Sequence, residues 1–180
     1  MRVTCVLALV AALAAPALAE RVYLKEADAP KAMFPSAASV EHKTLELSDE
    51  QVAALGKDLG RKISAARYPY LEVHDDRGVV LGVIFLLDVI GQAQPITFAV
   101  AVGSDGTLRD IQVMVYRESH GEEIADKRFR RQFVGKRASD ALVLGKDIDA
   151  ISGATISSRS AIFAARKALR LAELLRSTKP

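Results

Sequence analysis

Between residues 70 and 116 the chain reads as consecutive strands separated by tight turns, and this pattern leaves little freedom in what it can fold into. Residues 71–74 run into Asp75-Asp76-Arg77-Gly78, a turn sequence, and 79–90 is a long apolar run. Pro95 precedes a second run over 96–102, and Ser104-Asp105-Gly106-Thr107 is another tight turn. Over 108–116, Ile111, Val113 and Val115 alternate with Asp110, Gln112 and Met114, the period of two of a half-buried strand. Turns this short join antiparallel neighbours, so the strands are expected to form a meander.

Helical signals flank the strands. Ser48-Asp49-Glu50-Gln51 is a capping box ahead of Val52, Leu55, Leu59 and Ile63, which share one helix face. The charged segment 122–135 carries Ile124, Phe129 and Phe133 at helical spacing. In the last helix Ile162, Ala165, Leu169, Ala172 and Leu175 form one apolar stripe. Arg159, Arg166, Lys167 and Arg170 fall mostly off that stripe and read as a solvated face, the other reading being a docking patch for an acidic partner. Helix, antiparallel strands and helices in this order predict an α+β fold, an antiparallel sheet with packed helices, and exclude a doubly wound parallel sheet. A chain of 180 residues has room for one such domain. It is placed at 70–180, after an N-terminal segment, 20–69, with one helix.

The counts narrow the chemistry. Lys and Arg number 25 against 22 Asp and Glu, scattered without runs, which argues against a dedicated nucleic-acid binder. One Cys and three His are too few for Cys/His zinc frameworks, iron–sulfur clusters or disulfide scaffolds, and no haem-attachment motif is present. No paired carboxylates, Ser-His-Asp order or metal-ligand cluster stands out, so no catalytic residue and no metal ligand is assigned. Residues 1–19 have one early Arg2, an apolar run and a closing Ala17-Leu18-Ala19, the pattern of a cleaved secretory signal. The mature protein is therefore expected to be exported, periplasmic and free of cysteine.

Small and hydroxylated residues gather immediately before the last helix, at Asp149-Ala150-Ile151-Ser152-Gly153-Ala154-Thr155-Ile156-Ser157-Ser158-Arg159. Two readings stand on the residues alone. One is a Ser-rich N-cap for the helix. The other is a phosphate site, because backbone N–H groups and hydroxyls at a helix start favour an anion and Gly153 and Ala154 remove bulk.

The run Asp149-Ala150-Ile151-Ser152-Gly153-Ala154-Thr155 resembles the flavinylation motif of the FMN-binding domain family, which includes the C subunit of the sodium-pumping NADH:quinone reductase and the G subunit of the Rnf complex. Glu118-Ser119-His120-Gly121 is similar to that family's Glu-Thr-Pro-Gly turn beside the flavin, with His120 in place of Pro. Gln132-Phe133-Val134-Gly135-Lys136 is similar to its Phe-x-Gly-Lys segment. Together the resemblance spans roughly residues 79–174. It implies FMN joined through a phosphoester to Thr155 by a periplasmic flavin transferase, with Ser157 as a second possible acceptor. Asp149 is implied to serve the transferase, while Ser152, Gly153 and Ala154 shape the close approach. Glu118, Ser119 and Gly121 are implied to border the flavin ring, and Lys136 to meet the phosphate or the flavin carbonyls.

The function implied is electron carriage between a membrane oxidoreductase and another redox partner. The competing reading is a flavin-dependent reductase of a small periplasmic substrate, in which His120 is the one obvious general acid. A flavin-free module with a merely capped helix is the third.

Overall fold

The computed structural model describes residues 20–178; the segment 1–19, read above as an export signal, lies outside the described residues. One six-stranded antiparallel sheet forms the centre, in the order β1-β6-β5-β4-β3-β2. Its long members are β2 (Ser39–Glu46), β3 (Arg67–His74), β4 (Val80–Ile90), β5 (Pro95–Gly103) and β6 (Leu108–Tyr116). The strands β3 to β6 are the expected meander, each paired with the next, and the class is α+β as the element order implies.

The N-terminal segment holds more than the single helix expected of it. It supplies β1 (Arg21–Val22), which pairs with the end of β6, the short helix α1 (Ala29–Met33), and the edge strand β2. Segment 20–69 is thus woven into the same sheet. Its strands escape a pattern reading because β2, SVEHKTLE, is mostly exposed at the sheet edge and carries few apolar residues.

Helices cover the two faces unequally. On one face α1 packs Ala29, Met33 and Phe34 against Leu71, Val73, Ile84, Ala99, Ala101 and Met114. The larger core lies on the other face, under α4 (Thr155–Thr178), where Ala161, Ala164, Ala165, Ala168, Leu169 and Leu171 are buried against Phe85, Leu87, Phe98 and Val100. Small alanines let the helix approach the sheet closely, so one helix serves as the lid of the core. Ile124, Phe129 and Phe133 are all buried in that core, carried by a 3-10 turn (Glu122–Ala125), the short helix α3 (Lys127–Arg130) and a second 3-10 turn (Arg131–Phe133) instead of one continuous helix.

The capping box of α2 (Asp49–Leu59) is formed: Gln51 N–H donates to Ser48 Oγ (3.2 Å) and Ser48 N–H to Gln51 Oε1 (2.9 Å). The basic residues on the back of α4 hold α2 in place. Arg170 bonds the Asp58 carboxylate through Nε (2.7 Å) and Nη2 (3.1 Å), and Arg166 donates to the Asp58 carbonyl (2.8 Å). Lys167 lies 4.7 Å from the centre of the Tyr68 ring, and burial lowers its pKa. Three of the four supposed surface cations are thereby inter-element contacts, and Arg159 alone of them is exposed.

Candidate functional site

At the end of the sheet where β4 stops and α4 starts, three loops converge. The first is the turn at 91–94 between β4 and β5. Glu118 clamps it, its Oε1 accepting from Ala93 N–H (2.7 Å) and Gln94 N–H (2.9 Å). The Glu118 carboxylate is therefore spent on the backbone of a neighbouring hairpin. Ser160 ties the same end to the helix by donating to the Ile90 carbonyl (3.0 Å).

The second loop, 117–121, is locked by Tyr116, whose side chain is fully buried. Its phenol donates to the His120 carbonyl and shares a hydrogen bond of 2.8 Å with Ser157 Oγ. A phenol has one proton, so the Ser157 hydroxyl is the donor of that pair. Burial pushes the Tyr116 pKa up, against a smaller lowering by Ser157, so the phenol stays protonated in the role it plays here. Gly121 completes the lock: it has φ +94°, and a Cβ there would stand 2.5 Å from Ser157 Oγ and 2.9 Å from the Tyr116 hydroxyl. Ser119 and His120 are exposed at the tip of this loop.

The third element is the start of α4. Ala154 N–H donates to the Ile151 carbonyl (3.0 Å) across a turn whose third residue, Gly153, has φ +81°, a geometry suited to a type II turn and to glycine. The first helical hydrogen bond runs from Ser158 N–H to the Ala154 carbonyl (2.8 Å). The N-cap position is consequently Ala154, which has no hydroxyl, and the Ser-rich cap expected from composition is not what ends this helix. The amides of Thr155, Ile156 and Ser157 precede the first helical bond and have no acceptor within the helix. Thr155 is exposed on the first turn, with Ser152 and Gly153 exposed beside it, whereas Ser157 is 5% exposed and Ser158 is fully buried with an unpartnered Oγ.

Upstream of the turn lies a cleft of ≈ 430 Å³, lined by Glu123, Asp126, Arg128, Phe129, Gln132, Asp149, Ala150 and Ile151. Its size falls within the usual range for small-molecule sites. Gln132 fixes the wall, its Oε1 accepting from Asp149 N–H (2.7 Å), and Asp149 itself is exposed. Arg130 anchors α3 beneath the cleft by holding both oxygens of Asp110 at 2.9 Å and donating to the Ala125 carbonyl (3.0 Å).

Of the residues singled out in the sequence, Asp149, Ser152, Gly153, Ala154, Thr155, Ser157, Glu118, Ser119 and Gly121 belong to this end of the molecule. Lys136 does not. Its carbonyl accepts from Leu108 N–H (2.8 Å) at the start of β6, whereas Tyr116 and Ser157 meet at the end of that strand. Eight residues at roughly 3.3 Å each put about 26 Å between those ends, so Lys136 is too far to reach a phosphate at Thr155. The residues that the sequence left unremarked are Tyr116, which was legible only as a strand-ending aromatic, and the cleft walls Glu123, Asp126 and Arg128.

Comparison with known proteins bears on this geometry. The FMN-binding domain family matches residues 91–170, which run from the clamped turn through β5, β6 and the loops to Arg170 in α4. In fold the chain is similar to NqrC of Shewanella oneidensis, with a TM-score of 0.58 and 21% identity over 82% of this chain and 88% of that one. It is similar also to the C subunit of the Na+-translocating NADH-quinone reductase from Parabacteroides distasonis, with a TM-score of 0.51 and 19% identity over 83% and 85% of the two chains. No curated protein matches the chain in sequence. The glycine turn, the Tyr116 lock and the start of α4 all lie within the residues that match the FMN-binding domain family.

Proposed function

We propose that this chain is an exported electron carrier in which FMN is held covalently by a phosphoester to Thr155. The observation that carries the proposal is the contrast between two hydroxyls one half-turn apart: Thr155 is exposed on the first turn of α4, and Ser157 is buried and bonded to Tyr116. A transferase can reach the first and not the second. The residues present fit the group. Three amides without helical acceptors and the positive end of α4 suit a phosphate, and the adjoining cleft offers Phe129 and Ile151 as apolar wall.

Bound FMN would accept and release electrons, chemistry that the side chains of this chain do not supply. The chain's own contribution is positional. Gly153 supplies the left-handed backbone of the turn before the helix, Tyr116 and Gly121 pin loop 117–121 against it, and Gln132 holds Asp149 at the cleft rim where a flavin transferase would recognise it. A tether keeps the site filled where free flavin is dilute, which suits the export proposed here. The partners proposed are a membrane oxidoreductase on one side and a second redox protein on the other, in line with the likeness to NqrC subunits.

The test is the intact mass of protein produced in a periplasm with and without a flavin transferase. Wild type should gain one FMN less one water only with the transferase, Ser157→Ala should gain the same, and Thr155→Val should gain nothing. A gain that survives Thr155→Val would overturn the assignment, and no gain in wild type would overturn covalent attachment.

A further inference from the structure

At the opposite end of the sheet, strand pairing gathers three ligand-type side chains that sequence distance hides. Glu41 on β2 is directly opposite Glu72 on β3, and His74 follows Glu72 by two residues on the same face. One potential ligand atom from each of the three lies within 4.8 Å of the others. Counting cysteines and histidines missed the group because two of its members are carboxylates.

Two of the three members are buried, and one cation, Lys43, bridges the two carboxylates. Glu72 is 3% exposed and His74 is 9% exposed, and the His74 Nδ1 is buried without a hydrogen-bond partner. Its Nε2 stands 3.4 Å from Glu72 Oε1. Two ligands bonded to one zinc at roughly 2.1 Å in tetrahedral geometry are separated by about 3.4 Å, the same spacing. The adjacent β3–β4 register shifts between Val73 and His74, a bulge of the kind that re-aims a side chain next to a site. Opposed carboxylates repel, and a cation is present between them: Lys43 Nζ is 2.9 Å from Glu41 Oε2 and 2.5 Å from Glu72 Oε1. A cleft of ≈ 230 Å³ lined by Glu72, Val80, Gly82 and Arg176 borders the group and gives access to it.

We propose that Glu41, Glu72 and His74 bind one divalent transition-metal ion, in the place that the Lys43 ammonium takes in the free protein. Imidazole with two carboxylates suits zinc and its borderline neighbours better than magnesium or calcium. Three protein ligands leave room for water, so the ion is exchangeable. Lys43 is partly exposed on a four-carbon stem and keeps its proton as it swings into solvent, so no proton or electron is exchanged with the ion. Bound there, the ion stitches the edge strand β2 to β3, at the other end of β4 from Thr155, and it is independent of the flavin.

The test is calorimetric titration of metal-stripped protein with zinc chloride, alongside thermal melts with and without zinc. Wild type should take up one ion per chain and melt higher with it. His74→Gln should weaken binding by at least about tenfold, in the range seen when a metal site loses a determinant. Lys43→Met should tighten it by a similar factor and be rescued in melting temperature by zinc, a response that a purely structural Lys–Glu pair would not give. His42→Gln and His120→Gln control for surface histidines and should bind as wild type does. No uptake by wild type, uptake unchanged in His74→Gln, or weaker uptake in Lys43→Met would each overturn the site. If His74→Gln fails to fold, Lys43→Met decides.

Discussion

Gly121 and Gly153 both adopt left-handed backbone, at φ +94° and +81°, yet replacing them should cost very different amounts. An alanine in that region costs about 1–2 kcal/mol on backbone grounds alone. At Gly153 nothing lies within 4 Å of the new Cβ, so Gly153→Ala should cost only that. At Gly121 the methyl would stand 2.5 Å from Ser157 Oγ and 2.9 Å from the Tyr116 hydroxyl, so the Tyr116–Ser157 hydrogen bond must break as well. Losing a buried bond and leaving its partners unsatisfied adds about 1–3 kcal/mol. Gly121→Ala should therefore cost about 2–5 kcal/mol, read from urea unfolding of the flavin-free chain with unchanged slope. Ser157→Ala in the Gly121→Ala background should return part of the loss, because the atom in the way is gone. Equal costs at the two glycines, or strict additivity of Gly121→Ala with Ser157→Ala, would refute the lock.

Further outcomes follow from the same contacts. Tyr116→Phe leaves the His120 carbonyl and Ser157 Oγ without a partner and should cost about 1–3 kcal/mol, while Tyr68→Phe, which removes a buried hydroxyl that has no partner, should be neutral or stabilising. Burial raises the Tyr68 pKa, so above about pH 10 the unfolded chain loses a proton that the folded one keeps; the stability of wild type relative to Tyr68→Phe should fall as pH rises through that range. Arg130→Ala removes a partly buried pairing to both Asp110 oxygens and a bond to the Ala125 carbonyl, and should cost about 2–3 kcal/mol in urea unfolding; Arg130→Lys should not restore it, lacking the fork. Lys136→Ala should leave the extent of flavin attachment unchanged by intact mass, and a loss there would contradict its position at the far end of β6.

The meander was legible because its strands are apolar runs, alternating on a period of two over 108–116, and are separated by turns with their own chemistry, as at Asp105-Gly106. The capping box at Ser48 and Gln51 was legible for the same reason: its geometry is local. What escaped is what depends on neighbours distant in sequence. Strand β2 carries few apolar residues because it lies at the edge, and β1 is two residues long, so neither leaves a periodic trace. The basic face of α4 reads as solvated until α2 is placed against it, and Asp58 is more than a hundred residues away from the arginines it binds. Within the candidate site the glycine turn is local and could be read. The burial of Ser157, the use of Glu118 on the 91–94 turn and the remoteness of Lys136 are all consequences of how β6 and α4 are laid against each other, which no spacing along the chain encodes.

The most direct measurement of the central claim is where the flavin sits on the chain. Trypsin cutting after Lys146 and Arg159 releases one peptide that holds Ser152, Thr155, Ser157 and Ser158 together, and fragmentation of that peptide from protein made with a flavin transferase assigns the modified oxygen. The expected result is FMN on Thr155, with Ser157 and Ser158 unmodified in keeping with their burial. FMN on Ser157, or an unmodified peptide from protein exported beside an active transferase, would contradict the account.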